Sequence, residues 1–363
     1  MSETARTPAE RTPAERTPVM ADVARLAGVS HQTVSRVVNG QHNLRPETRE
    51  RVLEAIRQLG YRRNTAARAL VTRRSATIGV IGSKAGFWGP STVHRTIQAA
   101  GREAGYFVSS ANLPSLTREE LVDAISHLRD QSVEAIVLIG GTDDALEAAR
   151  AQEDLGIPVV VVEGDETKTR WTVGVDQVAG AELGTSLLIE LGHTGILHLG
   201  GPPSWTEARS RLAGFQNAMY AAGLHPAPAV TGDWSARSGY EAGRGIARRG
   251  DVSAVFCAND QMALGLLRAL AEAGRSVPGE VSVVGFDDIP EAAYLIPPLT
   301  TVRQDFTAVG RRAIEIIQAA LAGEPGPGRL IEPELVVRAS TGAPGTRTSS
   351  QASSRTSRRW ADA

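Results

Sequence analysis

Between Met20 and Tyr61 the apolar residues recur at helical spacing in three short runs: Val23 to Ala27, Thr33 to Val38 and Pro46 to Leu59. The third opens on proline and stops at Gly60, residue types that begin and end helices. From Thr77 the pattern changes to short, continuous apolar runs alternating with helical stretches. The runs include Ile78 to Ile81, Ala135 to Ile139, Val159 to Val162, Gly195 to Leu199, Ala254 to Cys257 and Val281 to Phe286. Strands that are apolar on both faces, bounded by glycine and separated by helices, predict a buried parallel sheet of the doubly wound α/β kind. Roughly 260 residues of this texture predict two lobes rather than one.

The flanks carry neither pattern. The unit Arg-Thr-Pro-Ala-Glu starts at Arg6 and again at Arg11 and trails off at Pro18, while the chain from Gly342 is rich in Ser, Thr, Arg and Gly. Both stretches lack core-forming residues and are expected to be disordered. The C-terminal one has no leucine heptad, so no coiled coil is predicted there.

Composition sharpens this picture at two points. The single cysteine, Cys257, has no internal partner for a disulfide, and no cysteine and histidine spacing suggests a zinc site. With no apolar signal-peptide core and no run approaching the roughly 18 residues that span a bilayer, a soluble protein of the reducing cytoplasm is expected. The net charge of −1 conceals an asymmetry. From Met20 to Arg74 eleven arginines and no lysine face four acidic residues, a net +7, which leaves −8 for the remainder. A compact basic head on an acidic body is the footprint of a protein that grips polyanion phosphates at one end.

The head also has the turn chemistry of a helix-turn-helix over Ala24 to Val34. Small Ala24 lets two helices approach, Gly28 tolerates the positive φ of a tight turn, Ser30 caps the second helix and Val34 fills the gap between them. At 100° per residue, His31, Gln32, Ser35, Arg36 and Asn39 share one face of that second helix, and Val34, Val37 and Val38 share the other. Gln32 and Arg36 have the forked geometry that pairs with adenine and guanine edges, and His31 stands at the helix start, where base contacts concentrate. Thr33 and Ser35 suit phosphate contacts, which position a protein without reading sequence.

The run Met20 to Ala24, together with Val34-Ser35-Arg36-Val37-Val38-Asn39, resembles the signature of the lactose-repressor/galactose-repressor (LacI/GalR) family of bacterial regulators. The similarity continues to about Ser340. The resemblance implies an all-α helix-turn-helix head over 19–63, a hinge over 64–74 and a two-lobed core of the periplasmic-binding-protein kind over 75–340, with tails at 1–18 and 341–363. It implies crossings between lobes near Val175, Arg303 to Phe306 and Ile331 to Pro333. The N-lobe then takes about 76–175 and 306–332, and the C-lobe about 176–303 and 333–340. It further implies a homodimer on double-stranded operator DNA, with a hinge from Asn64 to Leu70 that folds on DNA. Leu70 takes the position of a minor-groove wedge; on residue type alone it equally begins the core.

Open α/β sheets bind ligands beyond the carboxyl ends of their strands, so the polar residues there are candidates. They are the stretch Trp205 to Arg209, Asn259-Asp260, Asp287 and Gln304. A strand-end aspartate also commonly caps a helix, and a tryptophan is commonly core. By resemblance, Arg209, Asn259, Asp287 and Gln304 match the family's sugar-contacting positions, with Trp234 placed to stack on a pyranose. Ser83, Phe87, Val93 and Glu163 match its N-lobe ligand side. Trp205 and Glu163 depart from the lactose-repressor branch, which has serine and aspartate there, whereas Gly232 to Ser235 and Pro297 to Thr301 keep close to it. The expected function is a transcriptional repressor of sugar-utilisation genes released by a sugar, a galactoside or related β-linked disaccharide. No cofactor, metal or catalytic activity is expected: neither a phosphate-binding Gly-x-x-x-x-Gly-Lys loop nor a Gly-x-Ser-x-Gly turn is present. The alternative is a sugar-binding or sugar-processing protein without gene regulation, in which Asp287 and Glu163 pose as a glycosidase pair.

Overall fold

The computed structural model describes residues 18–38, 44–61, 74–83, 86–152, 156–165, 167–326 and 330–345. The chain divides into two compact units, 1–75 and 76–363. Asn39, Asn64 and Leu70, and with them most of the hinge, lie outside the described residues.

In the first unit, helices α1 (Met20–Ala27), α2 (His31–Val38) and α3 (Pro46–Leu59) enclose a small core. Val23, Val34 and Val52 are fully buried there, joined by Ala24, Ala27, Val37 and Ala55. The alanines and valines are short enough for three helices to meet without a large aromatic filler. Gly28 ends α1 at φ 64°, a conformation that glycine adopts without steric cost. The Ser30 hydroxyl then accepts the Thr33 amide at 3.2 Å, starting α2 two residues later.

The second unit contains two six-stranded sheets. The first is built from β1 (Thr77–Ser83), β2 (Phe107–Leu113), β3 (Ala135–Ile139), β4 (Val159–Val162), β5 (Trp171–Val175) and β11 (Leu330–Ile331), in the order β11-β5-β4-β3-β1-β2. All of its pairings are parallel. Helices α4 (Trp88–Glu103), α5 (Arg118–Asp130), α6 (Asp143–Gln152) and α11 (Phe306–Ala322) belong to this lobe. The second sheet is built from β6 (Ile196–Gly200), β7 (Val230–Thr231), β8 (Ala254–Cys257), β9 (Ser282–Asp287), β10 (Thr300–Arg303) and β12 (Glu334–Val336), in the order β12-β10-β9-β8-β6-β7. Only β12 runs antiparallel. Its helices are α7 (Gln177–Glu190), α8 (Thr206–Ala221), α9 (Ala236–Ile246) and α10 (Asp260–Glu272).

The central strands are buried along their whole length, which is why they read as unbroken apolar runs. The chain passes from one sheet to the other after Val175, after Arg303 and again between Ile331 and Glu334. The ordered core extends past the expected limit at 340. The Gly342 carbonyl sits 2.9 Å from His193 Nε2 and accepts the Ser282 hydroxyl at 3.1 Å, which ties the chain to the second lobe. Among the described residues no helix is long and apolar enough to cross a membrane.

Candidate functional site

A cleft of about 580 Å³, part of it open to solvent, is lined by residues at the carboxyl ends of strands from both sheets. One lobe contributes Ile139, Val162 and Glu163 from β3 and β4, with Phe87 to Pro90 and Val93 from the start of α4. The other contributes Asn259, Asp287 and Gln304, which follow or end β8, β9 and β10, together with Trp205, Glu207, Arg211 and Trp234.

The polar groups of the cleft form one network centred on Gln177. Its amide nitrogen donates to Glu163 Oε2 at 2.9 Å and to Gln304 Oε1 at 2.8 Å, and its oxygen accepts from Arg211 Nε at 2.8 Å. Gln304 in turn donates to Asp287 Oδ1 at 2.6 Å, and Arg211 Nη2 lies 3.7 Å from the same oxygen. A further guanidinium nitrogen of Arg211 donates to the Ala258 carbonyl, and its Cζ lies 3.9 Å from the Phe286 ring centre. Glu163 belongs to the first lobe and Gln177 to the second, so the network spans both. Asp260, at the first turn of α10, supports it from behind by accepting the Ile289 amide at 2.9 Å and the Thr301 hydroxyl at 2.6 Å, which fixes the turn after Asp287.

Three cleft residues hold a backbone conformation that side chains disfavour: Glu163 at φ 58°, Trp234 at φ 72° and Asp287 at φ 106°. Each such residue costs on the order of 1–3 kcal/mol, and they concentrate at functional sites. Burial also acts on the acids. It pushes the Asp287 carboxyl up to about 6 against the opposing pull of Arg211, and the Glu163 carboxyl up to about 7. Glu207 goes higher, to about 8, through burial and the nearby Glu163 charge.

Of the residues singled out from sequence, Phe87, Val93, Glu163, Trp205, Trp234, Asn259, Asp287 and Gln304 line this cleft. Phe87, Trp205 and Trp234 form an edge-to-face series with ring centres 6.5 and 6.2 Å apart. The indole of Trp234 is 7 % exposed and lies so close to Gly201 that a side chain there would meet it at 2.3 Å. Asn259 also caps α10, accepting the Met262 amide at 3.0 Å. Two residues fall elsewhere. Ser83, at the end of β1, faces a separate groove with His94 and Asn112. Arg209 is not among the residues that line the cleft and pairs with Asp143 of the opposite lobe at 3.1 Å.

Arg211 takes the place expected of Arg209, and the reason is helical phase. On α8 the buried positions are 207, 208, 211, 214, 215, 218 and 219, a helical period that includes 211 and excludes 209. A wheel drawn over α8 reveals both Arg211 and Glu207. Gln177, in the first turn of α7, carried no such signal. Among the described residues no group of three acidic, histidine or cysteine side chains is arranged to hold a metal ion.

On the head, His31, Gln32 and Arg36 are exposed on α2, while Val34 and Val37 are buried on its other face. Thr33 and Ser35 are half-buried, and the Thr33 hydroxyl lies 2.9 Å from that of Ser30.

Two family models match the chain: bacterial regulatory proteins of the lacI family over residues 19–64, and a periplasmic binding protein-like domain over 185–341. The lactose operon repressor of Escherichia coli (strain K12) is 34 % identical over 331 residues, covering 91 % of this chain and 92 % of that one. The crystal structure of the lac repressor dimer bound to operator and the anti-inducer ONPF superposes with a TM-score of 0.82 at 33 % identity, over 90 % of this chain and all of that one. A complex of the transcriptional regulator CelR with cellobiose gives 0.66 at 33 % identity, over 89 % and 99 % of the two chains.

Proposed function

Because the chain belongs to the lacI family of bacterial regulatory proteins, we propose that it represses sugar-utilisation genes in the cytoplasm and leaves its operator when a sugar fills the cleft between its lobes. The observation that carries this reading is the polar network through Gln177, which joins acids and amides of both lobes around one cleft. A ligand bonded to both walls favours one arrangement of the lobes, and differential affinity for two arrangements is all that allostery requires. A coupling of about 1–3 kcal/mol changes operator affinity about 5- to 150-fold.

On this reading two heads of a homodimer meet the half-sites of a near-palindromic operator. His31, Gln32 and Arg36 read base edges, Thr33, Ser35 and Asn39 contribute nearby contacts, and a hinge from Asn64 folds on DNA with Leu70 as its wedge. Glu163, Trp205, Trp234, Asn259, Asp287 and Gln304 hold the sugar, with Arg211 added and Arg209 and Ser83 set aside. A galactoside or related β-linked disaccharide is the favoured effector. Cellobiose in the CelR complex is a β-linked disaccharide in the same fold, which supports that choice. The acids of the cleft serve binding, and no turnover of a bound disaccharide is expected.

The test is release of the protein from DNA upstream of its own gene by a panel of saccharides. Release by at least one sugar, without cleavage of it, is the expected result. Asp287→Ala is expected to bind operator and ignore the sugar, and a normal sugar response in this variant removes Asp287 from the site.

A further inference from the structure

The cleft holds more acid than its one cation balances. Glu163, Glu207 and Asp287 line it, and Arg211 is the only basic residue among its described lining. That guanidinium is already committed to Gln177, to the Ala258 carbonyl and, at 3.7 Å, to Asp287. Glu207 is 8 % exposed, and its Oε2 has no hydrogen-bond partner. A buried carboxylate oxygen without a donor is costly, so whatever fills the cleft gains most by bringing one.

Two further observations define that donor. The unpartnered Glu207 oxygen calls for a hydrogen-bond donor, and a cationic donor makes the strongest such bond to a carboxylate. The neighbouring wall is aromatic, with Phe87, Trp205 and Trp234 in series, and ring faces attract an ammonium as well as the apolar face of a sugar. The indole nitrogen of Trp234 is itself buried without an acceptor. The fitting ligand therefore carries a cationic donor for Glu207 and hydroxyl or ring oxygens for the indole.

We propose that the effector is an amino sugar, a saccharide whose protonated amino group seats against Glu207 while its ring lies along the tryptophan wall. This rests on the sugar-effector reading given above and narrows it. A neutral hydroxyl satisfies the Glu207 oxygen, whereas an ammonium makes a charge-assisted bond to it as the carboxyl gives up its proton, and such bonds are roughly twice as strong as neutral ones.

Matched disaccharides separate the alternatives. Cellobiose, the β-1,4 disaccharide of glucosamine and its N-acetylated form share one frame and differ in hydroxyl, ammonium or neutral amide. Lactose and galactosyl-β-1,4-glucosamine repeat the comparison on a galactoside. Calorimetric affinity and operator release are measured for each with the full-length protein. The amines are expected to bind at least tenfold tighter than their neutral partners, and that advantage is expected to fall below threefold in Glu207→Gln and in Glu207→Ser. Neutral sugars that bind as well as the amines, or an amine preference that survives both substitutions, overturn the proposal. If a neutral sugar still releases operator in that case, the sugar-effector reading stands without it. If no saccharide of either kind binds or releases operator, both readings fall together.

Discussion

Helix α2 of the head and the cleft of the core handle polar side chains in opposite ways. On α2 the residues proposed to read DNA, His31, Gln32 and Arg36, stand in solvent, and the helix is held by apolar contacts on its far side. In the cleft, Gln177, Arg211, Asp287 and Gln304 are all buried and bonded to one another. A surface of the first kind gains its bonds only from a partner and costs the fold little. A network of the second kind is part of the fold, and removing one member leaves the others unsatisfied in a low-dielectric interior. The same substitution therefore acts through binding alone on α2 and through both stability and binding in the cleft.

Arg211→Met is expected to have the largest effect, because it strips the one cation from a site with three acids. Loss of one partner of a buried pair costs about 3–5 kcal/mol. Denaturant unfolding of the core is the measurement, and an unchanged midpoint contradicts the idea of a coupled network. Arg36→Ala comes next. One bidentate base contact is worth about 1–3 kcal/mol of discrimination, so operator preference over random DNA is expected to fall about 5- to 150-fold while sugar binding and melting temperature stay put. Retained selectivity removes Arg36 from the reading face.

A smaller effect is expected from Glu207→Gln, and its sign depends on pH. The Glu207 carboxyl is pushed up to about 8 in the folded protein, whereas in the unfolded chain it ionises near 4.5. The folded state then holds a proton that the unfolded state releases, so the wild type loses stability as pH rises from about 4.5 to about 8. The variant has no such proton to lose. Its melting temperature is expected to exceed that of the wild type by a few degrees at pH 8.5 and to match it near pH 4. A constant difference at all pH values rules out this cause. Smallest is Arg209→Ala. Its pair with Asp143 is partly exposed, and such pairs contribute about 0–1 kcal/mol. Equilibrium sugar affinity is expected to change by less than about fivefold, and a larger loss contradicts the exchange of roles between the two arginines.

The pattern of the chain revealed those parts of the fold in which one physical rule acts alone. Strands β1, β3, β4, β6, β8 and β9 are buried on both faces and read as apolar runs. Edge strand β2 alternates exposed and half-buried positions, and β7 and β11 have two residues each. None of these left a signal above that of a loop. The exposed face of α2 was legible because its apolar face is purely valine. On α8 a buried glutamate and a buried arginine occupy the inward face, where pattern reading assigns charge to solvent. Strand-end position disclosed Asn259, Asp287 and Gln304 and covered Glu207 within the stretch Trp205 to Arg209, but it carries no information about helical phase, so it did not single out Glu207 and it missed Arg211.

One feature of the rim bears on time rather than equilibrium. Gly141 of the first lobe accepts both the amide and the hydroxyl of Thr206 from the second, at 2.9 and 2.6 Å, and Asp143 adds the contact to Arg209 beside them. All three bonds join the lobes at the edge of the cleft, so any parting of the lobes at that edge has to break them. Their contribution belongs to the height of that barrier. Loosening the clasp quickens arrival and departure together, so two proteins with the same sugar affinity differ in how promptly they follow a change in sugar supply.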